Sequence, residues 1–197
     1  MMSKQPTREH LITVGVELIR SAGYTATGIN QILEVAEVPK GSFYHHFATK
    51  DEFVMEVIRR YATSEHERAE KLLGDTTVSP LKRLRRYFKD LIATYGQQGG
   101  PMISGCLLGN LSLEVAGQNE AIRSLLKQAF DGWQSALAGT VREAVEKREL
   151  PKTARPDDLA ALLVNGWEGA QVRAKSEQSD KPLTLFLDYA FDVLLKG

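Results

Sequence analysis

The stretch Val38-Pro39-Lys40-Gly41-Ser42-Phe43-Tyr44-His45-His46-Phe47 decides how the rest of the chain is read. It gathers a proline, a lysine, a glycine, a serine, three aromatic residues and two histidines, a mixture for which a buried helix has little use. Laid against nucleic acid, the same residues have tasks. Lys40 neutralises phosphate, Ser42 and Tyr44 donate hydrogen bonds, and Gly41 lets the backbone come close. The stretch reads as the recognition helix of a helix-turn-helix.

The flanks agree. Thr7 is a candidate N-cap, Glu9 sits in the first turn, and Leu11, Ile12, Val14, Val16, Leu18, Ile19 and Ala22 line one apolar face, so a first helix is expected to about Ala22. Gly23 suits the left-handed C′ position. Thr27 is expected to cap a second helix carrying Ile29, Ile32, Leu33 and Ala36, with a tight turn at Glu37-Val38. Beyond Phe47, Thr49-Lys50-Asp51-Glu52 has the form of a capping box opening a fourth helix to about Leu73. Further helices are expected at 80–96, 105–117, 119–148, 156–177 and 182–195, with linkers at Gly96–Pro101, Glu149–Pro156 and Ser176–Pro182.

Composition sets the class and excludes several functions. Of 197 residues, 43% are hydrophobic and 25% charged, and apolar residues recur at three and four residue spacings with little strand-like alternation. The expected fold is all-α, with about nine helices. Net charge is zero, yet between Val38 and Lys50 there are two lysines, two histidines and no acid. A DNA reader so placed gains affinity by presenting two such faces in a dimer. The single cysteine, Cys106, excludes an intramolecular disulfide and a Cys-rich zinc site. With a polar N-terminus and an uncharged run, Leu91–Leu113, that is broken at Gly96–Pro101, a soluble, cytoplasmic protein with no membrane span is expected.

The N-terminal third resembles the TetR family of bacterial transcriptional repressors. The likeness rests on Thr27, on Ala36-Glu37-Val38-Pro39-Lys40-Gly41-Ser42 through the turn, on Phe43-Tyr44-His45-His46-Phe47, and on Lys50. It implies a helix-turn-helix DNA-binding domain at 1–55 and a larger helical ligand-binding and dimerisation domain at 56–197. It also implies that Thr27, Tyr44, His45, His46 and Lys50 contact phosphate while Lys40, Gly41 and Ser42 face the major groove of double-stranded operator DNA. Packing is the alternative for Tyr44 and one histidine; Phe43 and Phe47 read as core. Pro39 departs from the family, which often has a small hydroxyl residue there, and removes a possible phosphate contact.

A second stretch, Ile103-Ser104-Gly105-Cys106-Leu107-Leu108-Gly109-Asn110-Leu111, is similar to a segment of the NemR- and AcuR-like branch, whose members answer reactive electrophiles and small acrylate-type acids. That likeness implies a small-molecule inducer or electrophile as partner, with Cys106 as sensor and Lys175 as its basic neighbour. If Ser104 caps the following helix, Cys106 falls at its second position, where the helix dipole favours thiolate. The alternative is a small buried residue in a reversible pocket. Tyr95, Leu111, Phe130, Trp133 and Trp167 fall at helical spacing and either line such a cavity or form plain core.

The last two helices carry small residues (Gly166, Gly169, Ala170, Ala174) and a wide apolar face (Leu183, Phe186, Tyr189, Ala190, Val193, Leu194), and the resemblance makes them a homodimer interface. No cofactor or metal is expected: His45 and His46 project about 100° apart on a helix, and no Cys or acid lies beside them. An enzyme using Cys106, or a helical adaptor using the helix-turn-helix fold without DNA, stands as the alternative function.

Overall fold

The computed structural model describes residues 7–97 and 103–195; the break expected at Gly96–Pro101 lies mostly outside them, the preceding helix running on to Gln97. Among the described residues there are nine α-helices, a terminal π turn and no strand. In order they are α1 (Thr7–Ala22), α2 (Ile29–Ala36), α3 (Lys40–His46), α4 (Lys50–Leu73), α5 (Pro80–Gln97), α6 (Leu107–Glu114), α7 (Glu120–Glu146), α8 (Pro156–Glu177), α9 (Lys181–Tyr189) and the π turn Ala190–Leu194. Helix α8 has the expected limits. The helix expected at 105–117 is shorter, because Gly105 sits at φ 78° and holds the chain out of helical geometry until Leu107.

Two compact units form. The first combines the chain up to Ser64 with Leu107–Ala129, and the second combines Glu65–Cys106 with Phe130–Gly197. A cut at 55/56 therefore does not coincide with the packing: α6 and the start of α7 join the N-terminal helices.

In the first unit, α1 packs on α2, α3 and α6. Leu11, Ile12 and Ile19 of α1, Ile32, Leu33 and Ala36 of α2 and Phe43 of α3 are all buried. Phe43, Phe47 and Phe53 make a ring triangle with centroids 5.0 to 5.3 Å apart. Gly15 makes room for it, since a Cβ there would stand 2.4 Å from Phe53 Cζ and 2.9 Å from Val57 Cγ2. The α2–α3 turn is set by Glu37 in left-handed geometry at φ 55°, its N–H bonded to Leu33 and Glu34 carbonyls. His10 Nε2 donates to the Ala36 carbonyl at 3.1 Å, closing the end of α2 onto α1.

The second unit has one continuous core built from α5, α7, α8, α9 and the end of α4. At its centre Phe88, Trp167 and Phe186 pack with ring centroids 5.2 to 5.7 Å apart. Gly166 permits the close α8–α9 approach, because a Cβ there would come within 2.9 Å of the Phe186 ring. Arg83 is a buried cation held by its two terminal nitrogens: one donates to the last carbonyl of α4, Leu73, and the other pairs with Glu143 of α7.

Candidate nucleic-acid interface and effector site

Helix α3 is anchored on one side and open on the other. Phe43 is buried, while Lys40, Gly41, Tyr44 and His45 are exposed and Ser42 and His46 are half-buried. Tyr44 is 51% exposed, a large area of ring left on the surface of a short helix. A Cβ on Gly41 would meet nothing within 4 Å, so the interior places no demand for glycine there, whereas close approach of an outside backbone would. Pro39 occupies the N-cap at φ −63° and ψ 149° without a side-chain bond, leaving the first N–H groups of α3 without a capping oxygen.

Two residues grouped with this face lie elsewhere. Thr27 is buried, its hydroxyl donating to the Gly23 carbonyl at 2.7 Å, and Gly28 rather than Thr27 is the N-cap of α2. The hydroxyl closes the C-terminus of α1 because Gly23, at φ 89°, turns that carbonyl inward. Lys50 is half-buried: its Nζ stands 4.0 Å from the Tyr24 ring centroid and donates to the Tyr24 carbonyl. Burial pulls its pKa down, against the pull of Asp51 and Glu114. Lys50 fastens the α1–α2 loop to α4. Tyr24 completes the latch by donating its hydroxyl to Asp51, which also accepts from Asn119 Nδ2 at 2.9 Å. Burial and then Asp51 push the Tyr24 phenol up to about 12.

The capping box at α4 is present with a shifted return. Thr49 Oγ1 accepts from the Glu52 N–H at 3.1 Å, but the Glu52 carboxylate accepts from the Ala48 N–H, one residue before the expected partner.

The second unit holds a polar cluster inside its apolar core. Cys106 is a buried thiol outside any disulfide, and it precedes α6 instead of occupying its second position, so the expected dipole argument does not apply. Against it stands a carboxyl, Glu168, with the thiol in hydrogen-bond reach. Burial pushes Glu168 up to about 7, the Cys106 contact acting the other way. Lys175, the expected basic neighbour, lies on α8 two turns beyond Glu168. Tyr87 of α5 sits beside Trp133 of α7 and feels the charge of Cys106; burial pushes its phenol well above the ordinary tyrosine range.

The aromatic residues divide. Trp167 is plain core, and Tyr95 is buried within the same core, with Phe130 packed at its margin. Trp133 belongs to the polar cluster. Leu111 is not with them: it is buried in the first unit, whose contacts claim α6.

Sequence reasoning missed Glu168 and Gln171. Their signal was present as Glu168, Gln171 and Lys175 at i, i+3 and i+7, a polar row beside the apolar row of Leu163, Trp167 and Ala174. The histidine rings lie 4.9 Å apart edge to face, and among the described residues no group of His, Cys, Asp or Glu is arranged to hold a metal. No helix among the described residues is long and apolar enough to cross a membrane.

Comparison with known proteins agrees with this geometry. Residues 11–57 match the family described as bacterial regulatory proteins, tetR family, and residues 80–190 match the tetracyclin repressor-like C-terminal domain. The HTH-type transcriptional repressor DhaR of Mycobacterium sp. (strain GP1) is 34% identical over 98% of this chain and 95% of its own. The transcriptional regulator AcuR of Cereibacter sphaeroides is 36% identical over 90% of this chain and 80% of its own. The crystal structure of Escherichia coli NemR in its reduced form superposes with a TM-score of 0.86 at 33% identity, covering 95% of this chain and 96% of that one.

Proposed function

We propose, since the chain belongs to the tetR family of bacterial regulatory proteins, how it carries out repression: as a homodimer on an inverted-repeat operator, released when a small molecule enters the second unit or Cys106 is modified. It is a DNA-binding transcriptional repressor of the TetR type. The reader is residues 1–55, and residues 56–197 bind effector and form the dimer. The observation that carries this is α3, held by Phe43 inside and presenting Lys40, Gly41, Tyr44 and His45 outside. Lys40, Tyr44, His45 and His46 contact phosphate or base edges, with Gly41 and Ser42 at closest approach. Lys50 and Thr27 act from behind, by setting the height of α2 and α4.

Dimerisation has its own support. Leu162 and Val172 of α8, with Leu185 and Tyr189 of α9 and Val193 and Leu194 of the π turn, are large apolar side chains left on the surface. Gly169 lies among them, with nothing within 4 Å of a would-be Cβ, so a partner helix can approach closely there. Two readers related by a two-fold axis match an inverted repeat.

Mobility shift on a fragment of the chain's own promoter tests the reading. Lys40→Ala or Tyr44→Ala is expected to weaken binding by on the order of 1–3 kcal/mol with the dimer intact. Wild-type affinity in both variants removes α3 from the interface. No shift at all with wild-type protein favours the adaptor reading.

A further inference from the structure

Inside the second unit, besides guanidinium nitrogens of Arg68, Arg83 and Arg86, four side-chain polar atoms are buried and meet no hydrogen-bond partner among the described residues: Trp133 Nε1, Glu168 Oε1, and both Nε2 and Oε1 of Gln171. Gln171 is 1% exposed, so its carboxamide has lost water and gained nothing in return. Buried groups left in this state each cost on the order of 1–3 kcal/mol, and native folds keep few of them. A buried carboxamide in this state calls for a partner that comes and goes.

The four atoms converge. Glu168 and Gln171 are three residues apart on α8, which places them on one face. Glu168 reaches Cys106, Tyr87 feels the charge of Cys106, and Trp133 lies beside Tyr87 with its Nε1 outside hydrogen-bond geometry, so α5, α7, α8 and the segment before α6 meet at one place. We propose that Trp133, Glu168 and Gln171 are the recognition set of the effector site, and that its ligand is a small uncharged molecule whose hydroxyl, carbonyl or amide group both donates and accepts hydrogen bonds. The proposal rests on the effector reading given above and names its chemistry.

The ligand class follows from the atoms. An indole N–H and an amide NH2 are donors, the amide oxygen is an acceptor, and a carboxyl serves as either according to its proton. A ligand with acceptors alone leaves the Gln171 oxygen unmet, and one with donors alone leaves the Trp133 and Gln171 hydrogens unmet. Above about pH 7 Glu168 is ionised, and a ligand carboxylate beside it then meets a like charge in a poorly screened medium. An ammonium would face the Trp133 and Gln171 hydrogens. An uncharged donor and acceptor satisfies all four positions, and a site built this way rejects analogues lacking the polar group far better than it rejects changes in apolar size.

Isothermal titration calorimetry on the full-length protein without DNA tests this, using propionamide and propane-1,2-diol as uncharged probes and propionate and propylamine as charged isosteres, at pH 7.5. At least one uncharged probe is expected to bind tenfold or more tightly than either charged one. Gln171→Leu and Trp133→Phe are expected to weaken that binding tenfold or more; the second removes only an N–H and keeps the ring, so it reports even if the first does not fold. Tighter binding of propionate or propylamine, no binding by either uncharged probe, or unchanged binding in the Trp133→Phe variant overturns the proposal. The same probes are then added to the protein–promoter complex. Binding by calorimetry without release of DNA leaves the site and its chemistry standing and removes the induction reading instead.

Discussion

Glu168 makes the stability of this repressor depend on pH in a way that one substitution should erase. Its carboxyl is pushed up to about 7 from an ordinary 4.5 because burial penalises the charged form. Between those two values the folded chain holds a proton that the unfolded chain has released. Stability therefore falls as pH rises through this window, by about 1.4 kcal/mol per pH unit at its steepest, and levels off above the folded value. Integrating both titrations gives a loss of about 2.5 kcal/mol between pH 5 and pH 8. Glu168→Gln keeps the shape and an oxygen that accepts from the Cys106 thiol but has no proton to lose. Urea unfolding of wild type and variant at pH 5, 6, 7 and 8, followed by far-ultraviolet circular dichroism, isolates the term, since every other titrating group is common to both. The variant should gain on the wild type mainly from pH 5 to pH 7, and little more by pH 8. A stability difference that is the same at all four pH values, or one that moves the other way, refutes the account of Glu168 as a carboxyl desolvated in the second unit.

Three further outcomes follow from particular contacts. Gly15→Ala would gain up to about 1 kcal/mol from helix propensity but must push against Phe53 Cζ at 2.4 Å and Val57 Cγ2 at 2.9 Å in a closed core, so a net loss of about 1–3 kcal/mol is expected on urea unfolding, and unchanged or raised stability contradicts the close α1–α4 crossing. Leu185→Glu and Val193→Glu alter residues 59% and 62% exposed, so the fold should tolerate them; sedimentation should show a monomer and promoter binding should fall sharply, while an intact dimer moves the interface away from α8, α9 and the π turn. Cys106→Ser should leave DNA binding intact and abolish release by N-ethylmaleimide; release that persists in the variant shows that Cys106 is a pocket residue and not the sensor.

Much of the architecture was legible because it is written in local signals. Apolar spacing fixed α1, α2 and α8 within a residue or two, and Thr49 with Glu52 marked the start of α4. Phe43 and Phe47 were readable as core because a short reading helix needs a hydrophobic footing. What escaped depends on residues far apart in sequence. Thr27 looks like an N-cap until Gly23 turns a carbonyl toward it, and Lys50 looks free until Tyr24 folds over it. Gly15 carries no local sign of the Phe53 ring, and Gly105 shortens α6 through a backbone angle that spacing does not report. Glu168 and Gln171 were passed over because a polar row on a helix is ordinarily a solvated face. Only the burial of α8 makes it an interior one.

The two units have different chemistry, and the chain passes between them immediately after Cys106. Leu107, the next residue, opens α6, and α6 belongs wholly to the first unit. It is tied there at two points. Asn110 Nδ2 donates to the Arg20 carbonyl at 3.2 Å, and the Glu114 carboxylate accepts from the Thr25 N–H at 2.9 Å. Both grip the end of α1 and the loop after it. That loop carries Tyr24, whose ring and carbonyl hold Lys50 and whose hydroxyl holds Asp51 at the foot of α4. An eight-residue helix is stiff over its own length, so a displacement at Leu107 reaches the Tyr24 latch as a displacement, and the latch sets where α2 begins and therefore where α3 lies. Few bonds are needed. A net hydrogen bond contributes about 0.5–1.5 kcal/mol, and the coupling between effector and DNA in allosteric proteins is typically about 1–3 kcal/mol, so disturbing two of the contacts around Tyr24 and Glu114 is enough. The chain also crosses between the units inside α4 and inside α7, so the step from Cys106 to Leu107 is one of three covalent routes by which the proposed effector site is joined to the reading helix.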